Sequence, residues 1–248
     1  MKKVLSLLLI ASLVFACSQD NDSGSAQQDS QGGSGEGGSL ARFAISGDYL
    51  YSVDQYGLNV FNIGTATDPV FVNHVPIGFD IETIFGFKNY LYIGSRNGMF
   101  IYSIDNPEFP EQLSAVEHFT ACDPVVANDN YAFVTLWTEV GCGNNVNQLE
   151  IYNIEDPLEP VLINTRVLTA PKGLGLYGDY LFVCDDEIKI FDVSQPENSV
   201  LVNSIDRLAF DVIIYNDLLI AVGDGGVFQY RLDPTNINSI ESLSSIDI

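Results

Sequence analysis

The chain has 248 residues and sets 33 Asp and Glu against 10 Lys and Arg, a formal net charge of -23. A surface that acidic repels nucleic acid and anionic lipid headgroups, which argues against both as partners and suits cationic or neutral ligands. Apolar residues make up 46%, with 12 Tyr and 15 Phe, a strand-forming composition with no run suited to a long amphipathic helix.

The first 16 residues read as a targeting segment. Lys2 and Lys3 precede an apolar run from Val4 to Ala16, too short to span a bilayer and suited to the core of a signal peptide. The junction Val14-Phe15-Ala16-Cys17 resembles the lipobox of bacterial lipoproteins, which implies a diacylated Cys17 as mature N-terminus and a membrane partner through that lipid anchor. An ordinary secretory peptide is the alternative. Residues 17–39 then form a Gly-, Ser- and Asp-rich tether without large apolar side chains, which cannot offset its chain entropy by burial. Asp20 and Asp22 resemble the acidic signal that sends some lipoproteins to the outer face of the outer membrane; plain linker acidity is the other reading.

From residue 40 to 248 one phrase recurs. Tyr49, Tyr90, Tyr131, Tyr180 and Leu218 each open an apolar strand, at spacings of 41, 41, 49 and 38 residues. Before each anchor lies another apolar stretch, as in Ile81 to Phe87 or Leu174 to Tyr177. After it come an alternating strand such as Glu187 to Val193, a Pro-containing turn, and a fourth strand such as Val200 to Ile205. Four strands in roughly 40 residues is the period of a propeller blade. The reading is an all-β, five-bladed β-propeller of four-stranded repeats. No shared closing blade is visible, so closure must come from how the first blade meets the fifth. A continuous sandwich or solenoid fits the in-phase repeats less well.

The repeat resembles the LVIVD family of bacterial surface repeats. Ile190-Phe191-Asp192-Val193-Ser194, Asp156-Pro157 with Pro160-Val161-Leu162, Asn106-Pro107, and Asp68-Pro69-Val70-Phe71-Val72 carry the likeness. It implies a propeller scaffold with no shared catalytic motif. The last copy departs most, with Ser239-Ile240-Glu241-Ser242 in place of Pro-Val-Leu-Val.

Three cysteines remain after Cys17. Cys122 opens the third blade and Cys142 sits in that blade's insertion, on the same face, so a disulfide between them is geometrically sensible in an oxidising compartment. Cys184 ends an apolar strand and reads as a small core residue.

Motifs that carry chemistry are scarce. Two His, no Gly-x-Ser-x-Gly elbow, no phosphate loop and no dinucleotide fingerprint leave no cofactor to expect and no zinc site. Asp185-Asp186-Glu187 reads as a solvated hairpin turn, and the Gly-rich turn from Val222 to Gly226 has no helix after it. The better constellation comes from aligned first strands, which put Asp80, Asp123 and Asp211 in nearly equivalent places with Lys172 in the fourth repeat's slot. Such carboxylates could bind calcium weakly or meet a ligand at one channel mouth; alternatively they fix the entry turns by bonding local N–H groups. The insertion from Leu136 to Gln148 adds Trp137, the single Trp, to the same face. A Trp there either anchors a ligand or packs under its own loop.

The expectation is a monomeric, lipid-anchored propeller on the bacterial outer membrane, facing outward, acting without catalysis as a binding or adhesion scaffold for a surface protein or glycan. A glycan hydrolase using channel carboxylates is the alternative, with Glu82 the nearby acid of the kind such enzymes use.

Overall fold

The computed structural model describes residues 37–117, 124–138 and 146–247. These residues form five antiparallel sheets of four strands each, every sheet built from consecutive strands. Blade 1 holds β1 (Phe43–Ser46), β2 (Tyr49–Val53), β3 (Gly57–Asn62) and β4 (Val70–Pro76). Blade 2 holds β5 (Ile81–Phe87), β6 (Tyr90–Ser95), β7 (Gly98–Ser103) and β8 (Glu111–Glu117). Blade 3 holds β9 (Val125–Ala127), β10 (Tyr131–Leu136), β11 (Gln148–Asn153) and β12 (Val161–Val167). Blade 4 holds β13 (Leu174–Tyr177), β14 (Tyr180–Cys184), β15 (Ile188–Asp192) and β16 (Val200–Ile205). Blade 5 holds β17 (Asp211–Tyr215), β18 (Leu218–Gly223), β19 (Gly226–Arg231) and β20 (Glu241–Ile246). The arrangement is a β-propeller. The five anchor residues Tyr49, Tyr90, Tyr131, Tyr180 and Leu218 are each the first residue of a blade's second strand, so the sequence period and the structural period coincide.

Local chemistry explains the blade. The turn from first to second strand carries a left-handed residue in four blades: Gly47, Lys88, Gly178 and Asn216, with φ between 51° and 56°. Such residues let a tight hairpin follow the right-handed twist of its strands. Blade 3 instead uses Asn128, whose side-chain oxygen accepts from the N–H groups of Asn130 and Tyr131. Gly57, Gly98 and Gly226 open third strands where the outer strand crowds in. A Cβ at Gly226 would stand 1.9 Å from the Ile246 carbonyl, and one at Gly98 2.1 Å from that of Val116. In all five blades the pairing of third and fourth strands slips by one residue at the same place, for example between Val60 and Phe61 and between Ile190 and Phe191. Each slip is a bulge that bends the outer strand.

Four apolar cores lie between consecutive blades. Tyr51, Leu58 and Val60 of blade 1 pack with Ile84, Leu91 and Ile93 of blade 2. Met99 and Ile101 meet Val134 and Tyr152, Phe133 and Ile151 meet Leu181 and Phe191, and Phe182 and Ile190 meet Leu219 and Phe228. Among the described residues no such core joins blade 5 to blade 1. Burial shows the consequence. The second strands of blades 2, 3 and 4 are buried on both faces after their first residue, whereas those of blades 1 and 5 alternate between covered and half-exposed positions.

Polar stitches repeat the pattern. Asn73, Ser114, Asn164 and Asn203 follow the bulge on the outer strands of blades 1 to 4. Each donates to a carbonyl in the loop before the next blade's outer strand: Glu108, Pro157, Pro196 and Ile237. In blade 5 the equivalent residue, Ser244, instead donates to Gln229 of its own sheet, at 3.1 Å.

Blade 5 is held from the centre. Gly38 to Ala41 form a turn, and the Ala41 carbonyl accepts the Ile84 amide of blade 2 at 2.9 Å. Ser39 is fully buried; its hydroxyl donates to Asp211 at 3.0 Å and accepts the Leu174 amide at 2.8 Å. The segment before β1 therefore ties blade 2 to blades 4 and 5. The domain boundary read from composition at Leu40 moves upstream, because Ser39 belongs to the packed domain rather than to the tether.

Candidate functional site

The start of each first strand, the turn between second and third strands and the connection from the previous blade share one face, here the entry face. Five residues were assigned to it from the sequence, and the four that the structure describes have different surroundings. Asp123 lies outside the described residues, as do Cys122 and Cys142. Asp80 is exposed just before β5, in the left-handed region at φ 57°, and its carbonyl accepts the Arg96 amide. Asp211 points inward, pressed between Gly38 and Gly173. A Cβ on either glycine would come within 2.2 Å of its carboxylate oxygens. Besides Ser39, the Asp211 carboxylate accepts the amides of Leu40 at 3.3 Å and Val212 at 2.9 Å. Burial pushes its carboxyl up to about 6, against the pull of those hydrogen bonds. Among the described residues no cluster of three His, Cys, Asp or Glu could hold a metal ion.

Lys172 and Trp137 do meet. The Lys172 ammonium lies 5.0 Å from the Trp137 ring centre. The backbone sets this contact: the Lys172 amide donates to the Cys184 carbonyl at 2.7 Å, and its own carbonyl accepts the Thr135 hydroxyl at 2.5 Å. Lys172 is thus fixed by blades 3 and 4 together, through Thr135 of β10, two residues before Trp137.

Beside Lys172 a pocket of about 430 Å³ opens between blades 4 and 5, walled by Asp206, Arg207, Phe210, Asp224 and Phe228. The connection from Asp206 to Phe210 forms one wall. It is held by the Phe210 amide on the Val222 carbonyl at 2.8 Å and by the Gly173 amide on the Phe210 carbonyl at 3.0 Å. Gly223 makes room for it, since a Cβ there would stand 2.5 Å from the Leu208 carbonyl. The Arg207 guanidinium lies 4.1 Å from the centre of the Phe228 ring, a cation–π contact. Asp185 borders the same pocket, but it is not a solvated turn residue. Its side chain is buried, accepts the amides of Thr169 and Ala170, and pairs with Lys189 at 2.6 Å. Cys184 is a buried free thiol at the end of β14, held above its usual range by burial.

A second cavity, about 380 Å³, follows the propeller axis and is lined by Phe85, Val126, Leu174, Val212 and Ile214, with Gly37 reaching into it. Its walls are apolar apart from Asn128, and among the described residues neither Asp80 nor Asp211 lines it.

Sequence reasoning missed Ser39, Arg207, Phe210 and Asp224. Arg207 had a signal: it is one of few cations in the chain, and it sits in a connection, not a strand.

The model of the LVIVD repeat matches residues 37–75 and 172–207. The chain carries LVIVD repeats. The first match spans blade 1 with its entry segment. The second spans blade 4 and ends at Arg207. No curated protein matches this LVIVD-repeat chain significantly. Solved structures share its fold. A protein of unknown function from Desulfotomaculum acetoxidans has a TM-score of 0.66 at 12% identity, over 84% of this chain and 70% of that one. A Lactobacillus plantarum protein gives 0.66 at 12%, over 80% and 67%. The periplasmic gluconolactonase of Pseudomonas aeruginosa gives 0.62 at 13%, over 82% and 68%. At these identities the likeness is one of fold.

Proposed function

We propose that this LVIVD propeller is a non-enzymatic binding module, anchored through a lipidated Cys17 at the outer surface of a bacterial outer membrane, that takes a glycan or a glycosylated protein on its entry face. The observation that carries this reading is the pocket between blades 4 and 5. It combines an aromatic wall at Phe210 and Phe228 with polar groups on a rigid scaffold, and Trp137 stands next to it across Lys172. Phe210 keeps 37% of its surface exposed, an available stacking face for a sugar ring.

The test is capture. Bacterial envelope glycans and surface proteins are passed over the full chain, and over Trp137→Ala and Phe210→Ala variants shown to be folded. Loss of capture in the variants supports the reading; capture unchanged in both removes the site from this face. Turnover of a glycan or of a sugar lactone, the class named by the Pseudomonas relative, would favour the hydrolytic alternative instead.

A further inference from the structure

We infer that the pocket between blades 4 and 5 is a site for an anionic saccharide, a sugar acid held by its carboxylate. This rests on the binding reading above and specifies its ligand class. The argument is a census of cations. The chain has ten Lys and Arg, of which Lys2 and Lys3 lie outside the described residues. Six of the other eight are engaged through their side chains. Arg42 donates to the Ile81 carbonyl and Arg166 to that of Ser199, while Lys88 pairs with Asp129, Arg96 with Glu82, Lys189 with Asp185 and Arg231 with Glu241. Lys172 and Arg207 remain. Among the described residues they alone have a cationic side chain with neither ion pair nor hydrogen bond, and each rests on an aromatic ring.

Both line the same pocket. In a chain of net charge -23, a free cation finds carboxylates in abundance, so two left without one on a shared wall point to a partner from outside. Their geometry suits that partner. The contact with Phe228 uses none of the Arg207 N–H groups, which leaves them to grip a carboxylate in two parallel hydrogen bonds. Lys172 supplies a second charge from the neighbouring connection. Asp206 and Asp224 also line the pocket, Asp185 being committed to Lys189, and their carboxylates are acceptors for the hydroxyls of a polyol. Inorganic phosphate offers no sugar hydroxyls for them and no ring for Phe210, which separates a sugar acid from it. Phe210 offers an apolar face to the ring. A pocket of about 430 Å³ has room for one or two sugar units.

Isothermal titration of the full chain at neutral pH tests this with three probes: trigalacturonic acid, neutral maltotriose and inorganic phosphate, each up to ~10 mM. The expected result is saturable binding of the uronic acid alone. It should weaken ~10-fold or more in Lys172→Gln and in Arg207→Gln, consistent with loss of a charge-assisted hydrogen bond, and stay unchanged in Arg231→Gln. Both pocket variants should stay folded, with melting temperatures within a few degrees of wild type, since each loses only a cation–π contact. Equal binding of maltotriose, preference for phosphate, or insensitivity to both substitutions overturns the anion assignment. So does a lack of uronate binding by protein that still captures envelope material through Trp137 or Phe210, and in that case the broader binding reading stands.

Discussion

Ser39 donates a hydrogen bond to Asp211 at 3.0 Å across 172 positions of sequence. Through this bond and the Leu174 amide, the last residue of a Gly- and Ser-rich stretch becomes a clasp at the centre of the propeller. It does for blade 5 part of what a shared closing blade would do.

Ser39→Ala should therefore destabilise the domain although it removes a single oxygen. It leaves the buried Leu174 N–H unpaired, a loss of about 1–3 kcal/mol. Urea unfolding of the variant against wild type reads the effect. A chain begun at Leu40 should lose at least as much, and equal midpoints for all three proteins would mean the clasp contributes nothing.

Asp211 gives the clasp a pH dependence. Its folded pKa of about 6 stands above the ordinary carboxylate value of 3.8. The protonated form is thus the one favoured by folding, so its contribution is present at acid pH and lost as pH rises through about 6. The size is ~3 kcal/mol between pH 4 and 8. Melting temperature should rise on going from pH 7.5 to 5, and rise less in Asp211→Asn, which has no carboxyl to protonate. Identical pH profiles for the two proteins would argue against a raised pKa.

Gly226 and Gly225 are neighbours with opposite tolerance. At Gly226 φ is +126° and a Cβ would meet the Ile246 carbonyl at 1.9 Å, whereas at Gly225 the nearest atom is the Phe228 ring at 3.6 Å. Gly226→Ala should cost ~2 kcal/mol or more by forcing β20 away, and Gly225→Ala ~0.5 kcal/mol or less. Comparing their denaturation midpoints checks the blade geometry directly.

Thiol chemistry separates the cysteines. Cys184 is buried and free, so it should resist labelling in the native protein and react once unfolded. If Cys122 and Cys142 are bridged, Cys17→Ser protein unfolded without reductant exposes one thiol, and closure of their loop contributes ~3 kcal/mol. Three reactive thiols would show the bridge to be absent.

The same Cys17→Ser variant tests the anchor. It should move from the membrane fraction to the soluble fraction on cell fractionation, whereas wild type stays with membranes. A variant still wholly membrane-bound would remove the lipid from the proposal.

The fold was legible in the sequence because its determinants are local and repeated. Tyr90 opens β6 and Tyr180 opens β14 for the same reason: a turn residue able to take positive φ precedes an apolar run, and a Pro- or Asp-bearing turn follows. Cys184 could likewise be placed in the core from the strand it ends. Contacts between blades were not legible. Asp80 and Asp211 share a slot in the repeat, yet one stands in solvent and the other lies under Ser39. The difference is made by the entry segment, which exists once and crosses the centre, where no repeat pattern can announce it. Asp185 looked like a solvated turn and is buried, because the preceding connection offers it two backbone amides and β15 offers Lys189. Arg207 and Lys172, 35 positions apart, become one site only when blade 4 folds between them and brings the two ends of its repeat together on the entry face. Periodic burial is written residue by residue and can be read that way. Which charges meet across a junction depends on how sheets pack, and only the tertiary structure decided it.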